Sequence, residues 1–134
     1  MRFENWPTRL NHYLAACEKR AFAWGDFDCA LFAAGAVLIM TGVDYAAQYR
    51  GRYDSALGAA RLLPNGLSAI PDGLNFERCA WAFARRGDIA LIPCGPDDRE
   101  SLGVVLGERI AVPSHIGGLA YFPTRNAVAV WRVD

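Results

Sequence analysis

The sequence predicts an α+β domain in which helices come first and a small antiparallel sheet follows, with one buried helix packed on that sheet. Three observations carry this expectation. The stretch from Ala30 to Met40 is apolar without a single charge, so it reads as a helix enclosed on all sides. After Gly87 the pattern changes to short segments rich in β-branched residues, separated by Gly, Pro and Asp turns. The 134 residues are 53% hydrophobic and 21% charged, with no repeat, low-complexity run or long linker, so residues 1–134 read as one domain around one core.

The elements follow in order. From Pro7 to Arg20 the apolar residues Leu10, Tyr13, Leu14 and Cys17 recur at helical steps, which predicts an amphipathic outer helix with Pro7 in its first turn. Asp28 to Thr41 is the buried central helix, with Asp28 as N-cap and Gly42 supplying the left-handed C-terminal turn. Shorter helices are expected after Asp44 and from Asp54 to Leu63, each opened by an aspartate, the second stopped by Pro64. The Pro and Gly content between Asn65 and Asn75 signals irregular chain, and Phe76 to Arg85 reads as a further helix. Strands are expected at Asp88 to Ile92, Leu102 to Leu106, Arg109 to Val112 and Ala127 to Val133.

Charge and composition exclude several function classes. Fourteen basic residues balance fourteen acidic ones, so no net field draws the chain to nucleic acid or an anionic membrane. The longest apolar run is shorter than the roughly 20 residues a bilayer requires, so no membrane span is expected. Arg2, Glu4, Pro7 and Arg9 break up any secretory leader, which predicts a cytoplasmic start. Cys17, Cys29, Cys79 and Cys94 show no CxxC spacing, and His12 and His115 are the sole histidines; four thiols, no metal and no cofactor are expected.

Cys29 is the chemical candidate. At the first turn of a helix, unpaired N–H groups and the helix dipole favour a thiolate, as a nucleophile requires. A buried cysteine acting as a small hydrophobe is the competing reading. Its surroundings favour the first. Phe22-Ala23-Trp24-Gly25-Asp26-Phe27-Asp28-Cys29 resembles the segment of NlpC-type cell-wall cysteine peptidases, of papain-like fold, in which an aromatic-x-Trp-Gly run precedes Asp-Cys at a helix start. Arg86-Gly87-Asp88-Ile89-Ala90-Leu91 is similar to that family's Gly-Asp turn into its first core strand, and Leu102-Gly103-Val104-Val105-Leu106-Gly107 to its next strand. The middle of the chain, Thr41-Gly42-Val43-Asp44 through Tyr49-Arg50-Gly51-Arg52-Tyr53 to Gly58-Ala59-Ala60-Arg61, resembles an uncharacterised branch found in phages and prophages, where such domains accompany tail-tip genes.

The resemblance implies a histidine base directly before Leu102, where this sequence has Ser101. The residue that would orient that imidazole falls near Ala111 or Val112, which are apolar, and Phe22 stands where active relatives carry an oxyanion-assisting tyrosine. His115, in a loop before Gly117-Gly118, is the alternative base; a lone loop histidine is more often a solvated group. His12 is expected on the exposed face of the outer helix. Asp28 is implied as a structural member of the motif. Trp6, Trp24, Trp81 and Trp131 read as core or interface anchors rather than a sugar platform, and Arg50, Arg52 and Arg61 as a solvated face.

Three functions are compatible with these residues. The first is a phage tail or tail-tip component, in the virion tail or in the host cytoplasm before assembly, whose partners are other tail proteins. The second is an active peptidase cutting peptidoglycan peptides with Cys29 as nucleophile. The third is an intracellular thiol amide hydrolase or transferase.

Overall fold

The computed structural model describes residues 1–94 and 99–134. Helix α1 spans Trp6–Cys17, with proline in its first turn, and buries Leu10, Leu14 and Cys17. That is the face expected from the spacing, and His12 lies exposed on the opposite side. Helix α2, Cys29–Thr41, is capped by the Asp28 side chain, which accepts from the Leu31 N–H, and ends at Gly42, whose φ of 83° few side chains tolerate. Phe32, Ala36 and Met40 on α2 are completely buried. Burial of a side chain the size of Phe32 or Met40 contributes about 1.5–3 kcal/mol relative to exposure.

The next segment departs from expectation. After Asp44 the chain makes successive turns over residues 45–51 instead of a helix. Asp44 accepts from the Ala46 N–H two residues on and pairs with Arg50, an Asx-type turn that competes with helix initiation. Helix α3 is Ala56–Leu62, and its cap is Ser55, accepting from the Gly58 N–H, not Asp54. The region read as irregular contains a short helix α4, Ala69–Gly73.

Phe76 to Arg85 is not helical. It holds strand β1, Arg78–Cys79, and a 3-10 turn over Trp81–Phe83. The physical reason is a long-range anchor: Asp72 accepts from Arg78 at 3.0 and 2.6 Å and from the Trp131 indole at 2.8 Å, drawing the segment to the sheet edge.

The remaining strands are β2 (Ile89–Pro93), β3 (Glu100–Val105), β4 (Arg109–Pro113), β5 (Leu119–Pro123) and β6 (Ala129–Trp131). β5 was not foreseen. All neighbouring strands are antiparallel, in a six-stranded sheet of order β1-β6-β2-β3-β4-β5. One sheet face, through Leu91, Leu102, Val104 and Trp131, packs with α1 and α2 into the main core. The other carries Ile92, Val105, Ile110 and Val130 in a second cluster. Helices and an antiparallel sheet thus form one mixed fold around a shared core. No helix of the described residues is long and apolar enough to cross a membrane.

Asp88, at the Gly-Asp turn into β2, is completely buried. It accepts from the Arg2 guanidinium at 3.0 Å, the Val133 N–H at 3.2 Å and the Arg85 N–H at 2.8 Å. Arg2 also donates to the Val133 and Arg86 carbonyls. One carboxylate thus ties together residues from both extremities of the sequence.

Candidate active site

The segment before α2 is a tight turn. Ala23 and Phe27 exchange backbone hydrogen bonds of 3.0 and 2.8 Å, with Gly25 at a φ of 81° between them. A Cβ on Gly25 would fall 1.9 Å from the Tyr53 carbonyl oxygen, so this position admits only glycine without rebuilding the contact. The turn aims the Asp28 carboxylate inward. One oxygen caps α2 through the Leu31 N–H at 3.0 Å; the other accepts from the Gly25 N–H at 3.0 Å and the Tyr53 hydroxyl at 2.5 Å. Burial, followed by this bond to Asp28, raises the pKa of Tyr53, so it acts as a donor.

Cys29 follows as the first residue of α2. The sheet makes room for it. β3 and β4 pair only at Val104↔Ala111 and Val105↔Ile110, so they diverge before Leu102. The ladder register turns the Leu102 N–H toward the side that β4 has left, and both that N–H and the Ser101 hydroxyl favour the ionised form of the Cys29 sulfur.

Burial is the largest influence on the Cys29 thiol and, with the negative field of Asp28, pushes its pKa up to about 11 against the opposing influence of Leu102 and Ser101. This corrects the expectation of a lowered pKa. A helix terminus contributes about 0.3–1 kcal/mol at exposed sites, and desolvation of the sulfur outweighs it. At neutral pH Cys29 is a thiol and not a thiolate.

The structure brings Asp28, Cys29 and Ser101 together. His115 is exposed and stacks on Phe22 at 4.1 Å between ring centroids, with Trp24 at 6.1 Å. It is not among the groups that act on the Cys29 thiol. Its loop is pinned against the end of α1 by the Gly118 N–H bonded to the Arg20 carbonyl at 2.9 Å. Ala111 and Val112 are buried and apolar, so they supply no polar partner. Among the described residues no cluster of three or more His, Cys, Asp or Glu could hold a metal ion.

Two site residues escaped the sequence reading. Tyr53 lies 25 residues beyond Asp28, and no local pattern predicts their bond. Cys94 follows β2, and strand alternation offers a signal: it lies two residues beyond Ile92, which pairs with Ser101. Chemically, the constellation is a neutral thiol with a hydroxyl and a backbone donor beside it. Among the described residues no imidazole is one of the groups that act on this thiol.

The fold is that of NlpC/p60 domains. The chain is similar to the crystal structure of the NlpC/p60 domain of peptidoglycan hydrolase SagA, with a TM-score of 0.60 and 14% identity over 93% of this chain and 97% of that one. At that identity the likeness concerns the fold. No curated protein matches the sequence. Residues 1–133 match the family model described as Domain of unknown function (DUF6950), and the chain belongs to that family.

Proposed function

We propose that this chain is a structural or interaction component of a phage or prophage tail or tail tip, built on an NlpC-like fold whose peptidase site has decayed. The observation that carries the reading is Ser101 at the thiol of Cys29, where the family resemblance calls for a histidine. Amide cleavage needs a thiolate to attack and an acid to protonate the leaving amine. A serine hydroxyl supplies neither at neutral pH, and loss of general acid–base assistance costs about 100- to 10,000-fold in rate. The tail assignment rests on the likeness of residues 41–61 to the phage-associated branch, with other tail proteins as partners and the virion tail, or the host cytoplasm before assembly, as location.

Purified cell wall digested with wild-type, Cys29→Ala, His115→Ala and Ser101→His proteins, with new amino groups counted, tests the site. The expected result is no release by the first three, with gain of cleavage, if any, confined to Ser101→His. Robust wild-type cleavage that disappears in both Cys29→Ala and His115→Ala overturns the decayed-site reading in favour of an active hydrolase. Mass spectrometry of purified particles tests the location: a tail that lacks this chain removes the structural role.

A further inference from the structure

We infer that β5 is an acceptor edge, to which an extended acidic segment of another protein adds as a further strand. This inference is independent of whether Cys29 is active. Its basis is the direction of backbone groups. The Thr124 N–H donates to the Glu108 carbonyl at 2.8 Å and the Ser114 N–H to the Gly118 carbonyl at 2.9 Å, and both pairs continue the β4–β5 register. Antiparallel pairing alternates, so Ala120 and Phe122 bond to β4, while Leu119, Tyr121 and Pro123 turn their backbone groups away from it.

Among the described residues the sheet ends there. The opposite edge, β1, is only two residues long and carries Arg78, the usual protection against strand addition. β5 has five residues and two outward N–H donors, those of Leu119 and Tyr121, with Pro123 offering a carbonyl alone.

Charge beside the edge selects the occupant. A cleft of about 490 Å³ lies alongside, lined by Leu14, Glu18, Arg86, Glu108, Arg109 and Tyr121, among others. Glu18 accepts from the Tyr121 hydroxyl at 2.8 Å and keeps its negative charge, while Arg86 of the same cleft makes no ion pair among the described residues. Arg109 lies over the Tyr121 ring at 4.8 Å and makes no ion pair among the described residues; Arg125, just beyond β5, is exposed and likewise makes none. Against these cations stand Glu18 and Glu108. A strand laid on β5 therefore meets two uncommitted guanidinium groups, and carboxylates on that strand satisfy them.

The test is amide-resolved NMR of the full chain, titrated with a blocked hexapeptide alternating valine and aspartate, and with the same peptide carrying lysine for aspartate. Before addition, Ala120 and Phe122 amides exchange slowly and those of Leu119 and Tyr121 fast. The acidic peptide is expected to slow exchange at Leu119 and Tyr121 about tenfold or more, as new hydrogen bonds close those groups off. Tyr121→Pro removes one outward donor and abolishes the effect, whereas Tyr121→Phe keeps the donor and the effect. Should the proline variant unfold, Arg109→Glu replaces it and reverses the preference toward the lysine peptide. No protection at millimolar acidic peptide, or equal protection by both peptides, overturns the proposal. Protection that instead grows with protein concentration, together with a dimer in sedimentation, also overturns it and assigns the edge to a second copy of the chain.

Discussion

Asp28 and Asp88 are both closed off from solvent, at 1% and 0% exposure, yet a cation faces only one of them. Asp88 pairs with Arg2 and binds segments from opposite ends of the sequence. Asp28 is surrounded by neutral donors, Gly25, Leu31 and Tyr53, and its charge is felt next door as a field that opposes ionisation of Cys29. A buried carboxylate with its own guanidinium is a fastening. One without a cation shapes the turn around it and biases the neighbouring thiol toward its neutral form.

The largest effect that separates the two is expected from Arg2→Ala. It leaves Asp88 charged, buried and without a cation, and removal of one partner of such a pair costs about 3–5 kcal/mol. Urea denaturation reads this directly. Tyr53→Phe removes one neutral donor from Asp28 and is expected to cost less, about 1–3 kcal/mol in the same measurement. Equal losses would erase the distinction.

The thiol gives a finer test. The folded pKa of Cys29 lies above its ordinary value of 9.0, at about 11, so the folded state holds a proton that the unfolded chain releases. The associated stability is complete below pH 9.0 and is lost as pH rises toward about 11. Unfolding free energies followed across that window should fall more steeply for wild type than for Cys29→Ala; parallel curves would mean that the sulfur is not desolvated. The smallest effect belongs to Ser101→Ala. Loss of a hydroxyl that stabilises the thiolate should slow alkylation of Cys29 at fixed pH by a few-fold, about 1 kcal/mol or less. Faster alkylation would show instead that the hydroxyl shields the sulfur.

What the sequence made legible was local. The cap at Asp28, the left-handed turn at Gly42 and the apolar body of α2 are encoded by neighbours along the chain, and all three appear where the pattern places them. The Gly-Asp turn and strands β2 to β4 were legible for the same reason. Phe76 to Arg85 misled because its apolar spacing suits a helix, while its conformation is decided by Asp72 and Trp131. β5 was hidden behind two prolines and a pair of glycines that read as loop. At the site, Cys29 and Ser101 were visible through the motif. Tyr53 was not, since its contact with Asp28 joins residues far apart, and the raised pKa of Cys29 depends on burial that composition cannot reveal.

The Asp88 fastening also sets a schedule for the nascent chain. Arg2 is synthesised 86 residues before the Asp88 carboxylate that it pairs with. Even then the carboxylate lacks a donor, because the Val133 N–H that completes its shell comes 45 residues later. Until that amide is out, β6 and the covering of the main core by Trp131 are missing too. Vectorial synthesis can therefore assemble α1 and α2 early, while closure of the sheet waits until Val133 has emerged.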